Sequence, residues 1–434
     1  MCLRSIIIAL NLNFAFMSSE NWLYLIIGLV VFNYLFSTVL NFLNDNNWKI
    51  DIPSAMADFY KKEAYQKARN YAKEKSKISL LSSTISLLIS VLLLWFKGYG
   101  WISDLVMNKF SLHANDVFLN NFLHTGLFFF VLFLLSDIIA LPFSCYNTFV
   151  IEEKYGFNKT TPKTFVLDKV KGYLLTLILG GAILAGAMYI VALIDSDFWL
   201  WLWMGLAVLM LLINMFYADL IVPIFNKLKP LEDGSLREKI QAYTTKVGYA
   251  LKNIYIIDGS KRSTKANAFF SGLGPRKTIA LYDTLVDKHS EEELVAVLAH
   301  EVGHYKRKHI LTSMCLTILQ LGIMCFLLEL CLKEADISKA LGGEGMIFHL
   351  GLMAFSILYT PLGTIIGILM NMLSRKNEYE ADDYAKSTYD GEALQIALKK
   401  LSVDSLSNLY PHPFYVFVHY SHPPLLKRLQ ALSK

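Results

Sequence analysis

Seven segments of this chain stay apolar for long enough to cross a bilayer as helices, which takes about 20 residues. They run approximately 22–43, 78–97, 122–143, 172–194, 198–218, 310–332 and 346–373. No other property constrains the fold as hard, because a spanning segment must satisfy its backbone N–H and C=O groups internally, and a helix does so within itself. Composition agrees: 54% of the 434 residues are hydrophobic and 18% are charged, a balance that excludes an ordinary water-soluble globule. The net charge of +5 is modest, and no nucleic acid is expected as a partner. The placement of the charges says more than their sum.

The first connection holds Lys49, Lys61, Lys62, Lys67, Arg69, Lys73, Lys75 and Lys77, and the third holds Lys154, Lys159, Lys163, Lys169 and Lys171. The second has little beyond Lys109, the fourth has none, and the sixth has only Lys333 and Lys339. The positive-inside rule therefore puts connections one, three and five and the C-terminus in the cytoplasm, with the N-terminus outside or luminal. Polar groups interrupt the apolar helices. Ser79, Ser82, Ser83, Ser86 and Ser90 make a stripe on the second span, Asp137 sits in the third and Asn214 in the fifth. Serine and asparagine serve helix–helix hydrogen bonding, whereas a charged Asp137 calls for a protein interior or a watery cavity. The five cysteines form no C-x-x-C pair, so neither a disulfide framework nor a thiolate metal site is expected.

Two stretches are polar enough to leave the membrane, residues 219–309 and 374–434. NIYIID (253–258) and KTIALYD (277–283) read as strands, and NAFFSG (267–272) as a third, exposed strand ending at Gly272. Ser290, with Glu293 three residues on, then opens a helix in capping-box fashion. That helix carries LAHEVGHYKRKH (298–309). His300 and His304 are four apart and so project from one face, where they can share a metal. Glu301 follows the first of them and is placed to take a proton from water as general base. His309 lies nine residues beyond His300, on the opposite face of a continuous helix at about 100° per residue, and reads as an interfacial residue.

A third ligand follows from topology. The His-bearing helix runs into the sixth span, and the seventh returns the chain at SRKNEYEADDYA (374–385). Glu378 then arrives at the depth of the two histidines, and Asp382, i+4 from it, faces a ligand His as a hydrogen-bond acceptor. Glu380 and Asp383 are equally charged, as in a solvated acidic helix start, and geometry selects Glu378 and Asp382 over them. Two His and one Glu leave a fourth position on zinc open. In the tail, His412, His419 and His422 compete for a role beside an oxyanion, and spacing does not rank them.

HEVGHYKRKH, SRKNEYEAD and HYSHPPLLKRL, together with EEKYGFNKTTPKTF (152–165) and PIFNKLKPLEDG (223–234), resemble the type I CAAX prenyl endopeptidases, integral-membrane zinc proteases of the gluzincin group. The resemblance implies a mainly α membrane protein: seven transmembrane helices around a water-filled chamber, with a small α+β zincin-type protease domain on the cytoplasmic side. It implies one zinc per chain on His300, His304 and Glu378, Glu301 as general base and Asp382 behind a ligand. It selects His422 as the oxyanion-side histidine, and puts Asn267 on an edge strand that pairs with substrate backbone. The implied activity is hydrolysis near the C-terminus of prenylated proteins.

The expected organisation is an N-terminal segment (1–21), spans one to five with their loops (22–218), a first protease part (219–309), spans six and seven (310–373) and a second protease part with the third ligand (374–434). The opening MCLRSIIIALNLNFAF faintly resembles a signal peptide without a clear cleavage site. The expected partners are a peptide or protein substrate, prenylated if the resemblance carries over, and the lipid bilayer of a cell inner membrane or an ER membrane. Two other readings remain: a quality-control membrane metalloprotease with broad substrates, and a non-catalytic channel or scaffold.

Overall fold

The computed structural model describes residues 17–109, 116–251, 253–271 and 278–434; the MCLRSIIIALNLNFAF segment and Gly272 lie outside them. Five long apolar helices come first: α1 (Ser19–Asn46), α2 (Lys62–Trp95), α3 (Val117–Glu152), α4 (Pro162–Leu193) and α5 (Phe198–Phe225). Local chemistry sets several of their starts. Ser18 Oγ accepts the Asn21 N–H, Asp116 Oδ1 accepts that of Leu119, and Thr161 Oγ1 accepts that of Thr164 ahead of Pro162, each satisfying an otherwise orphaned donor of a first turn.

The chain then builds a polar unit of β1 (Leu228–Pro230), α6 (Ser235–Lys246), β2 (Asn253–Ile257), β3 (Ala268–Ser271), β4 (Thr278–Tyr282) and α7 (Glu291–Lys306). It re-enters the apolar layer as α8 (His309–Leu332), followed by α9 (Phe348–Leu358) and α10 (Thr360–Thr388). The segment expected as a single seventh span is this last pair, bent by 47° where Pro361 removes a backbone donor. Helices α11 (Gly391–Asp404), α12 (Pro413–His419) and α13 (Leu425–Leu432) complete the fold.

The apolar helices close a ring. Each packs on the next, α1 through α5, then α5 on α8, α8 on α9 and α10, and both of these back on α1. Almost none of the apolar stretches of α2, α3 and α4 is buried, as expected of helices exposed both outward and toward a hollow centre. At the end away from the polar unit, the helix Gly98–Lys109 packs on α2, α3 and α9. Its Gly100 N–H donates to Leu341 O at 2.8 Å, and a Cβ there would lie 2.4 Å from Gly342 O, so only glycine permits the contact. Asp137 is neutralised from the neighbouring helix: Lys169 Nζ donates to it at 2.5 Å, and the Tyr173 hydroxyl also donates to it.

The sheet has the order β1-β2-β4-β3, with β2 and β4 parallel and the outer pairings antiparallel. β4 (TIALY) is apolar on both faces and takes the centre, Ile279 and Leu281 packing on Leu294, Val295, Leu298 and Val302 of α7. β1 carries Pro230, which confines it to an edge; it and α6 went unread in the sequence. β3 is the other edge. The EEKYGFN loop after α3 braces the approach to it. Lys159 N–H donates to Arg262 O and Thr264 N–H to Phe157 O, while Arg262 forks onto Asp168 of α4 at 2.6 and 2.8 Å.

Candidate metal centre

Helix α7 starts where the capping signal placed it, with Ser290 Oγ accepting the Glu293 N–H at 3.3 Å. Glu291, Glu292 and Glu293 fill its first turn, where negative charge suits the helix dipole. The Glu293 carboxylate does not reach back to complete a capping box. It is held by His289 Nδ1 at 2.8 Å and Lys400 Nζ at 2.6 Å, tying the start of α7 to α11. Leu294, Val295, Leu298, Ala299 and Val302 are buried, which leaves His300, Glu301 and His304 to the other side.

Glycine 303 brings the third ligand in. A Cβ built on it would lie 3.1 Å from Ala381 Cα, Ala381 O and Tyr384 Cβ, so α7 rests directly on the backbone of α10. Glu378 Oε1 then stands 3.2 Å from His304 Nε2 and Oε2 stands 3.5 Å from His300 Nε2. The two Nε2 atoms are 3.2 Å apart. One ligand atom from each of the three residues lies within 4.8 Å of the others. Asp382, one turn along α10, accepts from His300 Nδ1 at 2.9 Å.

With a cation at the centre, these contacts assign the protons. His300 spends its Nδ1–H on Asp382, and its Nε2 is left as a lone pair aimed at that of His304 and at a carboxylate. Glu378 Oε2 is buried and makes no hydrogen bond, its nearest cation being Arg428 Nη1 at 3.3 Å. Two imidazole Nε2 atoms and a buried carboxylate converging on one point form a cation site, and the N,N,O donor set suits zinc. When no cation sits there a proton takes its place: burial pulls the His300 pKa down, but hydrogen bonding to Asp382 and Glu378 outweighs it and lifts the value to about 9.

Arg428, unread in the sequence, braces the acidic side. Its Nε and Nη2 fork onto Asp382 at 2.8 and 2.6 Å, and Nη1 stands 3.3 Å from Glu378 Oε2. A signal for it existed: Arg428 shares one helix face with Leu425, Leu429 and Leu432, and a buried charge there requires partners. Of the three tail histidines, His422 reaches the centre, its Nε2 3.3 Å from Glu378 Oε1. His412 caps α12 by accepting the Phe414 N–H, and the His419 ring lies against Tyr415. Asn267 is exposed just before β3, its carbonyl accepting the Tyr282 N–H at 3.1 Å. Glu301 is half-buried beside His300 and close enough to influence both His300 and Arg428.

Two expectations are corrected. The LAHEVGHYKRKH stretch is not one continuous helix: α7 ends at Lys306, Lys308 takes a left-handed conformation (φ 60°), and α8 begins anew at His309. The 100° count that put His309 on the far face therefore does not apply. His309 is buried, its Nδ1 3.1 Å from His304 Nδ1. Glu380 is likewise not merely solvated, since its Oε2 lies 3.0 Å from His309 Nε2.

Comparison with known proteins adds a second line of observation. Residues 41–227 match the family described as CAAX prenyl protease N-terminal, five membrane helices, and residues 230–434 match peptidase family M48. The chain is 33% identical over 410 residues to a rice protein named CAAX prenyl protease 1 homolog, covering 93% of this chain and 95% of that one. It is 31% identical to CAAX prenyl protease 1 of Saccharomyces cerevisiae, with 95% of each covered. Among solved structures, that of S. mikatae Ste24p superposes with a TM-score of 0.89 at 32% identity, covering 96% of this chain and all of the other.

Proposed function

The chain belongs to peptidase family M48 and is a multi-pass membrane metalloendopeptidase, and from that premise we propose how its residues divide the work. His300, His304 and Glu378 would hold one zinc ion, which would supply a Lewis acid able to make water nucleophilic near neutral pH. Glu301 takes the proton from the attacking water and passes it to the leaving amine. His422, at the exposed rim beside Glu378, donates to the oxyanion of the tetrahedral species. Arg428 keeps Asp382 and Glu378 ionised and oriented, and Asp382 holds the His300 ring. The free edge of β3, entered through Asn267, aligns the substrate backbone by strand addition.

The substrate is a protein cut near a prenylated C-terminus. The relatives' names suggest this class, and the observation that supports it is a run of cavities leading away from the histidines. A cavity of about 470 Å³ touches His304, His309 and Asn377. It shares Met210, Asn214 and Thr317 with one of about 370 Å³, which in turn shares Leu206 with an apolar cavity of about 830 Å³. That last space is lined from α3, α4, α5, α8 and α9, and helices from so much of the ring meet only inside it. From Asn214 to Leu206 the route descends ~12 Å along α5, a path fit for a hydrocarbon chain attached beside the scissile bond. The lysine distribution supports an orientation with the centre and C-terminus cytoplasmic and the N-terminus outside or luminal, in the ER membrane of a eukaryote or the inner membrane of a bacterium.

The test compares a farnesylated C-a-a-X peptide with its unmodified twin, using purified protein and mass spectrometry of the products. Release of the C-terminal tripeptide from the farnesylated form, at a kcat/KM at least tenfold higher, is expected. Equal cleavage of both, at scattered sites, would favour the broad quality-control reading.

A further inference from the structure

The two histidine ligands are supported in different ways. His300 Nδ1 meets a carboxylate directly, at Asp382. His304 Nδ1 meets another imidazole, that of His309, at 3.1 Å, and His309 Nε2 meets Glu380 Oε2 at 3.0 Å. Two rings facing each other through Nδ1 need one donor and one acceptor. With His304 Nε2 turned toward Glu378 as a lone pair, its Nδ1 must carry the proton. His309 Nδ1 then accepts, His309 Nε2–H remains, and Glu380 accepts that. No other neutral arrangement satisfies all three contacts, so the carboxylate at the end of the chain selects the tautomer of the ligand at its head.

The break between α7 and α8 makes this geometry. Lys308 in the left-handed region turns the chain so that His309, buried at 6% exposure, folds back over the helix that it would otherwise have left. A non-glycine residue at positive φ is uncommon and carries a strain cost, and here the turn that imposes it also delivers His309 to His304. Glu380 comes from α10, two residues beyond Glu378 and on a different face. The one helix thus sends one carboxylate into the centre and another to support a ligand from outside.

We propose that His309 and Glu380 are positioning residues that lock His304 in its metal-ligating tautomer, so that the α7–α8 break and its hydrogen-bonded imidazole are part of the zinc site. The proposal rests on the reading of His304 as a ligand. The hydrogen-bond support of a metal-bound imidazole is commonly worth 10–100-fold in metal affinity, which sets the expected effect.

The experiment measures zinc affinity of the purified full-length protein in detergent, by competition with a chromophoric chelator, together with the visible spectrum of the cobalt-substituted form. His304→Ala is the reference for a lost ligand and should abolish tight binding; retention there would overturn the ligand assignment itself. Given that loss, His309→Leu and Glu380→Leu should weaken zinc binding roughly 10–100-fold and perturb the cobalt spectrum. His309→Gln, whose amide can accept from His304 and donate to Glu380, should recover most of the affinity. Helix content and the thermal stability of the zinc-free protein distinguish a folded variant from a damaged one, and Glu380, partly exposed, is the substitution least able to disturb folding. Folded His309→Leu and Glu380→Leu proteins that bind zinc as the parent does would overturn the proposal while leaving the metal centre intact.

Discussion

Replacing Gly303 by alanine probes the contact that assembles the centre. The new methyl would sit 3.1 Å from Ala381 Cα and O and from Tyr384 Cβ, against about 3.5–4.0 Å for relaxed carbon contacts. Those atoms belong to a helix backbone and a Cβ, so none can swing aside; α7 and α10 must separate by a few tenths of an ångström. Overpacking of this kind costs about 1–3 kcal/mol, while removing a glycine from a helix interior returns about 0.5–1 kcal/mol. The net loss of stability is therefore small, about 1 kcal/mol. The metal site is less forgiving, because ligand distances tolerate only about ±0.2 Å. Zinc affinity should then fall by about tenfold or more, while the zinc-free protein melts within a few degrees of the parent. Gly367→Ala, on the same α10 with nothing within 4 Å of the added Cβ, is the control and should bind zinc normally. A Gly303→Ala protein with parental zinc affinity would refute the claim that this approach positions Glu378.

Other substitutions bear on the supporting groups. Arg428→Leu strands Asp382 and Glu378 without their cation, a break that costs about 3–5 kcal/mol in a buried pair; a large fall in thermal stability, partly restored by zinc, is expected, and an unchanged melting temperature would contradict it. Burial holds the His289 pKa below its ordinary 6.5, with Glu293 only partly opposing the shift. The unfolded chain thus binds a proton more readily than the folded one, and stability should fall as pH drops below about 6.5; thermal unfolding at pH 7.5 and 5.5 should show that slope flattened in His289→Gln, and an identical slope would exclude His289 as its source. Asp168→Asn weakens the Arg262 fork that braces the approach to β3, so KM should rise more than kcat falls. A fall in kcat alone would argue against a role in substrate alignment.

The sequence was most legible where one physical rule dominates. Apolar length gave the spanning helices, and i,i+4 spacing gave the histidine pair. Topology then returned Glu378 and Asp382 to the right depth, because a helix that leaves the membrane face must come back to it. Reading failed where the backbone departs from regular geometry. The left-handed Lys308 carries no composition signal, since lysine rarely adopts that conformation, and without it His309 counts onto the wrong face. Glu380 fell with it, as its only distinguishing contact is His309. Arg428 was hidden in a short amphipathic helix whose partners come from a distant segment. Three residues of β1, ending in proline, offered too little pattern to mark a strand.

The zinc-peptidase assignment is decided by a paired measurement of bound metal and turnover on the farnesylated peptide, for the parent protein and for Glu301→Gln. It predicts one zinc per chain in both, cleavage by the parent that a chelator abolishes and zinc restores, and turnover in the variant reduced by at least a hundredfold, within the range typical of a lost general base. Full turnover by Glu301→Gln, or chelator-resistant cleavage by metal-free parent protein, would contradict it.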